Sequence, residues 1–514
     1  MTATDPTDPT GTSDPTGTTD PIGTTVTTVP TGTTVPVGDF AAVLGFLAAA
    51  DPEGALAPCG LRRVVLGADV LGRVADEVAA LLDLTPGRGT APAAVTLLVD
   101  DTPILREGVD VKAEVARLLQ ARFRVTVEVL TDPHPPLPVD EQALATATRA
   151  AQGADAVVSV GGGTVTDIGK VASAGAGGLP HVVVQTAASV DGFTDDVSVV
   201  LRSGVKRTVA SRWPDVVLAD TTTIREAPAV MNQAGLGELT SMFTAPADWR
   251  LARLLDLDTS YKEASTRLLA TVGEDLSQWS SGLATADLDA VQRLTWALMV
   301  RGVVTGVSGS TAVLSGMEHL VSHMLDLHHA AAGLPTGLHG AQVGAAAVVA
   351  ATAWEVLIER LATGTPTLRC PDPDTARARV ERAFEHVGPA VVEECWRDYS
   401  AKLARWADRL PVISAVLRDW ADHEPDLLRL VRPSAEIRTA LTAGGAPARL
   451  SELDPAVSPD LARWAVRNCA LMRDRTTVVD LLTCLGWWEP DDADEVLERA
   501  QSVGRLGPAQ GGSA

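Results

Sequence analysis

From about residue 60 the chain alternates short apolar runs with longer stretches of helical spacing. Residues 63–66, 95–99, 125–130, 156–160 and 181–184 are rich in valine and largely apolar, as buried strands are. Segments 71–82, 111–119 and 141–152 repeat their apolar positions at intervals of three and four and predict helices. Apolar strands that alternate with helices imply a mostly parallel sheet covered on both faces. The stretch 197–209 contains Ser203-Gly204 and predicts a hairpin, and 215–220 predicts one more strand. Past about residue 225 the strand signal fades. Ala- and Leu-rich segments at 238–255, 287–305, 316–331 and 341–361, with more to about 488, predict helices. The expected fold class is an α/β nucleotide-binding domain with a mostly parallel sheet, followed by an all-α domain. Ligands would then bind in the cleft beyond the carboxyl ends of the strands.

The boundaries follow from composition. Residues 1–38 repeat TDPT and TGTT and carry too little apolar surface to order, so a disordered tail is expected. Residues 39–225 form the expected α/β domain, 226–490 the helical one, and 491–514, ending in GPAQGGSA, a flexible tail. The 42 Lys and Arg against 65 Asp and Glu give a net charge of −23, which argues against nucleic acid or an anionic membrane as a partner. The longest apolar stretches, 40–50 and 343–354, are too short and too Ala-rich to span a bilayer. The first basic residue is Arg62, with no secretory pattern before it, and five scattered cysteines fit reduced thiols. A cytoplasmic protein is the expectation, with oligomeric state open.

Three motifs carry candidate chemistry. Gly161-Gly162-Gly163-Thr164 follows a strand and opens a helix that continues through Asp167 and Lys170. Bare glycine backbone at a helix N-terminus suits a phosphate, although a tight turn without a ligand uses the same residues. Five of nine histidines fall between 319 and 339, and His319 and His323 are four apart on one helix face. Two imidazoles and a carboxylate can make a three-ligand site with an open position, whereas single histidines often cap helices or pack in cores. Thr186-Ala-Ala-Ser189-Val-Asp191-Gly192-Phe193 follows a strand and would offer Ser189 and Asp191 to the cleft. Asp-Gly is also a common turn.

Taken in order, GGGTVTDIGK at 161–170, TAASVDGF at 186–193, SGVKRT at 203–208, AGLGELTSMFTAPADWRLA at 234–252, SGMEHLVSH at 315–323, GLHGAQVG at 337–344 and RDRTTVVDLL at 473–482 resemble the sn-glycerol-1-phosphate dehydrogenases. These belong with the iron-containing alcohol dehydrogenases, glycerol dehydrogenases and dehydroquinate synthases. The resemblance covers roughly residues 60–488. It implies NAD or NADP as cofactor, with Gly161, Gly162, Gly163, Thr164, Asp167, Thr186 and Ser189 on the cofactor side. Asp100 and Asp101, after a strand, lean towards NAD. It also implies one divalent metal (Zn, Fe or Ni) on Glu238, His319 and His339, and a substrate side made of Asp191, Lys206 and His323. Of these, Asp191, Glu238, His319 and His339 would be catalytic. The implied activity interconverts a small polyol, or its phosphate, and the ketone.

Several residues depart from that pattern. The family's acidic ligand is usually Asp and is Glu238 here. A nearby Lys is replaced by Met242, an Arg by Ala312 and a Glu by Ala341. Two cations that would meet a substrate phosphate are therefore gone, leaving Lys206 and Arg207. A non-catalytic nucleotide-binding homologue is the alternative that these changes favour. A dehydroquinate-synthase-like lyase is disfavoured because Asp191-Gly192-Phe193-Thr194 stands where that group carries Asp-Ser-Gly-Lys.

Overall fold

The computed structural model describes residues 35–83, 92–133, 137–202, 205–364 and 366–502. The strands are β1 (Arg63–Gly67), β2 (Ala94–Asp100), β3 (Leu105–Arg106), β4 (Val109–Asp110), β5 (Arg124–Leu130), β6 (Ala156–Gly161), β7 (His181–Gln185), β8 (Val197–Arg202), β9 (Val205–Ala210) and β10 (Val216–Asp220). Six of them make one sheet in the order β1-β10-β7-β6-β2-β5, and every pairing in it is parallel. Every residue of β6, β7 and β10 is buried, which is why their sequence shows no alternation. The chain steps from β2 out to β5 in one direction and through β6, β7 and β10 in the other. The crossovers therefore diverge between β2 and β6, and the crevice beyond their carboxyl ends is the place where such sheets bind ligands. Gly161 ends β6 on that side.

Ribbon β8–β9 is antiparallel and realises the expected hairpin. It stands off the main sheet, with Lys170 donating to Val197 O at 2.7 Å and Asp167 accepting from Val199 N at 3.0 Å.

Beyond β10 the described residues are helical, and three expectations need correction. The segment 238–255 is not one helix. It splits into the end of Ala229–Leu239, a tight turn at Thr240–Phe243 and a new helix Ala245–Leu254. Pro246 in the first turn of that last helix cannot continue an earlier one. Residues 491–502 are not a loose tail. They lie in helix Pro490–Ser502, whose Ala493, Val496, Leu497 and Ala500 are buried. The apolar stretch 343–354 is the middle of a 25-residue helix, His339–Thr363, long and apolar enough by length and composition to cross a membrane, yet 83% of its most apolar window is buried inside the protein. It packs against Ala229–Leu239, Met317–Ala331 and Ser434–Ala443. Residues 1–34 and 503–514 of the expected tails lie outside the described residues.

Candidate active site

Glycines set the distance between the two helices that matter most here. A Cβ on Gly340 would collide with Ala234 O and stand 3.0 Å from Glu238 Cβ, and one on Gly344 would lie 2.6 Å from Gly237 Cα. Only hydrogen side chains let the two backbones approach that closely. The contact brings Glu238, near the end of Ala229–Leu239, to His339, the first residue of His339–Thr363. His319, in the first turn of Met317–Ala331, completes the group.

The three donors lie within 4.8 Å of one another. His319 Nε2 is 3.5 Å from Glu238 Oε1, and His339 Nε2 is 3.7 Å from Glu238 Oε2. Those separations are near the ~3.4 Å edge of a tetrahedron with bonds of ~2.1 Å. Both imidazoles are turned by a second contact. His319 Nδ1 lies 3.0 Å from Glu318 Oε1, a carboxylate that can only accept, so Nδ1 carries the hydrogen and Nε2 keeps its lone pair. Ser322 Oγ donates to Gln342 Oε1 at 2.7 Å and lies 3.1 Å from His339 Nδ1, which gives His339 the same tautomer. Glu238 Oε2 is buried with no hydrogen-bond partner. A buried carboxylate oxygen without a donor, with His339 Nε2 before it and His319 Nε2 at the carboxylate's other oxygen, is the environment that a divalent cation satisfies.

Electrostatics agree. Burial would raise the Glu238 carboxyl, but His319, His339 and Arg301 hold it well below the carboxylate range. Burial would lower His319, and Glu238 and Glu318 instead push it up to about 9.

The sequence gives no warning of Arg301. It is fully buried in helix Leu288–Ser308. Nη2 lies 2.9 Å from Glu238 Oε1 and 3.0 Å from Asp191 Oδ2, with Nε also 3.2 Å from Asp191 Oδ2. Its other branch reaches Glu238 O and, at 3.0 Å, Ser241 Oγ. Arg301 thus joins Asp191 to Glu238 and occupies one oxygen of each carboxylate. Asp191 is set by its loop, in which Thr194 Oγ1 donates to Met299 O at 2.7 Å and Ala188 N donates to Asn232 Oδ1 at 3.0 Å.

On the sheet side, Gly162 caps helix Gly163–Gly175 without a side-chain hydrogen bond, and nothing stands within 4 Å of where its Cβ would be. No side chain caps the first N–H groups of that helix, which a bound pyrophosphate could then engage. A Cβ on Gly163 would come 3.0 Å from Val190 Cγ2, so this loop adjoins the one bearing Asp191. Thr164 is half-buried in the first turn, and Thr186 and Ser189 are buried beside β7's end. Asp167 is held by Lys170 and Val199 N, and Asp100 by Lys112, so both carboxylates are already engaged. Lys206 lies in β9, with its side chain outside the described residues, and Arg207 is bound by Glu394 at 2.5 Å. His323 sits one turn beyond His319, its ring 5.9 Å from that of His339 and 6.3 Å from that of His319. Burial first, then Arg473, His339, His319 and Arg475, push it well below the usual imidazole range.

The chain is similar to known proteins. Residues 81–228 match the family model described as iron-containing alcohol dehydrogenase. The glycerol-1-phosphate dehydrogenase [NAD(P)+] of Bacillus velezensis is 34% identical over 233 residues, 45% of this chain and 59% of that protein, so the match spans about three fifths of that relative's length. The protein of the same name from Haloquadratum walsbyi is 32% identical over 314 residues, 60% of this chain and 83% of its own. Among solved structures, a probable glycerol dehydrogenase from Sinorhizobium meliloti superposes with a TM-score of 0.53 at 15% identity, covering 86% of this chain and 98% of that one. At that identity the likeness speaks for the fold alone.

Proposed function

The chain belongs to the glycerol-1-phosphate dehydrogenase family, and from that premise we propose that it is a metal-dependent oxidoreductase. It would move hydride between NAD(P) and a small polyol, or polyol phosphate, and the corresponding ketone. The observation that carries the reading is the convergence of Glu238, His319 and His339 around an unpartnered buried carboxylate oxygen. A divalent cation held there would supply Lewis acidity at the carbinol or carbonyl oxygen.

The chain's own groups do the rest. Glu318 and Ser322 fix the two imidazole tautomers. Arg301 holds Asp191 in place, ready to accept a hydrogen bond from a substrate hydroxyl. The open N-terminus of Gly163–Gly175 offers N–H groups to the cofactor's pyrophosphate. The replacement of the family's Asp by Glu238 is matched by Arg301, which takes up one oxygen of the longer side chain and leaves the other exposed to the cluster. The net charge of −23 supports neither nucleic acid nor an anionic membrane as a partner, and five free cysteines fit a cytoplasmic location.

The test is oxidation of NADH and NADPH by purified, metal-analysed protein, with dihydroxyacetone phosphate and dihydroxyacetone as paired substrates. The expected result is about one divalent cation per chain and a turnover that a chelator abolishes and metal restores. Absence of both stoichiometric metal and turnover would instead make the chain a non-catalytic homologue.

A further inference from the structure

Two cysteines that are far apart in the chain meet away from the candidate active site. Cys370 lies in the link that leads into helix Pro373–Phe384, and Cys484 is the last residue of helix Val478–Cys484. A disulfide needs two backbones that approach closely. Here the backbone N–H of Arg369 donates to Cys484 O at 2.6 Å, one residue from Cys370. The side chains meet as well, and the Cys484 thiol hydrogen-bonds the Cys370 sulfur. A gap of about 10 Å³ beside Cys484, lined among others by Pro371, Tyr399 and Asp480, leaves room for the sulfurs to shift.

The two thiols are not equivalent. Cys484 is buried and stands one turn beyond Asp480, whose Oδ1 is held by Lys402 Nζ at 2.7 Å. The contact with Cys370, then burial, then the charges of Cys370 and Asp480 keep the Cys484 proton in place. Cys370 is only half-buried, and the hydrogen bond it receives from Cys484 pulls its own thiol below the usual range against a smaller effect of burial. The other three cysteines go the opposite way: burial pushes Cys59 up to about 11 and both Cys395 and Cys469 up to about 12. An accessible sulfur with thiolate character beside a protonated, buried second thiol is the arrangement of a reactive cysteine and its resolving partner.

We propose that Cys370 and Cys484 are an oxidation site, a thiol pair that a hydroperoxide converts reversibly to a disulfide. The Cys370 thiolate attacks one oxygen of hydrogen peroxide. An S–O bond forms, the O–O bond breaks, and the leaving hydroxide takes a proton from solvent to become water. The Cys484 sulfur then attacks the Cys370 sulfenic sulfur. The S–S bond forms, the S–O bond breaks, and the hydroxyl leaves with the Cys484 proton as a second water. Two electrons pass from the two sulfurs to the peroxide, and an external dithiol returns them. The bond fastens the link before Pro373–Phe384 to the end of Val478–Cys484. Reduced thiols at rest and a disulfide only under oxidant suit a reducing compartment.

Peptide mass spectrometry on the full chain, reduced, desalted and treated with a small excess of hydrogen peroxide, tests this. The expected product is a cross-linked pair of peptides bearing Cys370 and Cys484, lighter by two hydrogens and separated again by dithiothreitol. Before oxidation, a short pulse of iodoacetamide should alkylate Cys370 at least about tenfold faster than the equally half-buried Cys59. In Cys484→Ala the reaction should stop at its first step, with dimedone trapping a sulfenic acid on Cys370. In Cys370→Ser, Cys484 should stay unmodified. Equal alkylation of Cys370 and Cys59 overturns the proposal. So does a wild-type Cys370 that ends as a sulfenic or sulfinic acid, or that pairs with any thiol other than Cys484. Neither metal content nor turnover enters the readout, so the result stands apart from the dehydrogenase reading.

Discussion

Two of the buried ionic clusters among the described residues are built to opposite ends. Under the sheet, Lys170 is fully buried and bonds Asp195 at 2.5 Å, Asp167 at 3.4 Å and Val197 O at 2.7 Å, while Asp167 also accepts from Val199 N. Each charge there has a partner from the chain itself, and the cluster ties helix Gly163–Gly175 to ribbon β8–β9. Among the helices, Arg301 answers one oxygen of Glu238 and one of Asp191, but Glu238 Oε2 is left with no hydrogen-bond partner and has His339 Nε2 3.7 Å away. Burial of charge is common to both, so it does not mark function. An unmet carboxylate oxygen grouped with two imidazoles does.

The sharpest break of this comparison is a pair of substitutions with exchanged consequences. Lys170→Met strands the buried Asp195 and the half-buried Asp167 and should cost about 3–5 kcal/mol of stability, with metal content unchanged in the protein that folds. His319→Ala should reduce bound metal from about one per chain to near zero and lower kcat/KM by about a thousandfold or more, with little loss of thermal stability. Metal analysis and calorimetric melting on both proteins check the exchange. Loss of metal in Lys170→Met with an intact fold would show that the clusters are not separate devices.

Arg301 is the one residue that belongs to both kinds of design, since it is a saturated cation serving an unsaturated site. Arg301→Met should lower kcat/KM by about 10- to 100-fold and lower the melting temperature as well. Arg301→Lys restores the charge but not the planar fork that spans Asp191 and Glu238. It should therefore recover most of the melting temperature while kcat/KM stays at least tenfold down. Full recovery of activity by lysine would reduce the role of Arg301 to charge alone.

Arg301 also shows where the sequence falls silent. It sits as a single cation in the otherwise apolar run LTWALMVRGVVTGV, 63 residues from Glu238 and 110 from Asp191. Spacing rules see neighbours on one element, and nothing local says that this face meets two loops of another part of the chain. The valine-rich strands β2, β6, β7 and β10 were legible because a strand buried on both faces needs no partner to look buried, whereas β5, expected as buried at 125–130, is an edge strand with Val127 and Val129 exposed. His319 and His339 were legible as a cluster, and the glycines of GLG and HGAQVG by resemblance, although their physical reason, two helix backbones in contact, is tertiary. The helix Pro490–Ser502 was legible in principle. Its buried positions 493, 496, 497 and 500 follow the helical period, but the polar composition around them read as a tail.

A third device, His181 on β7, sharpens the comparison by being buried, polar and neutral. Ser159 Oγ lies 2.9 Å from its Nε2, and burial, then Arg212 and Lys170, push its pKa down to about 3. The unfolded chain takes up a proton near pH 6.5 and the folded one does not. The stabilisation is therefore complete above pH 6.5 and is lost as pH falls towards about 3, at up to ~1.4 kcal/mol per unit. Between pH 7 and pH 5 this amounts to about 2 kcal/mol. His181→Asn should remove that slope and leave the rest of the acid limb, which denaturant titrations at the two pH values would detect. An unchanged slope would mean that the ring is protonated in the fold.

The smallest effect expected is at Ser322, and it tests whether the cluster is tuned as well as assembled. Its hydroxyl donates to Gln342 Oε1, so towards His339 Nδ1 it can only accept, and that choice turns the lone pair of His339 Nε2 towards Glu238. Ser322→Ala removes the acceptor without touching any of the three donors. Metal affinity, measured by competition with a chelator, should weaken about three- to tenfold, with the melting temperature within a few degrees of wild type. The matching change beneath the sheet is Ser198→Ala, whose hydroxyl bonds Ser211 Oγ at 2.9 Å beside the Lys170 cluster. It should shift stability slightly and metal affinity not at all. Equal metal affinity in Ser322→Ala and wild type would show that the imidazole holds its tautomer without help, and that only the Glu318 side of the cluster is set by a neighbour.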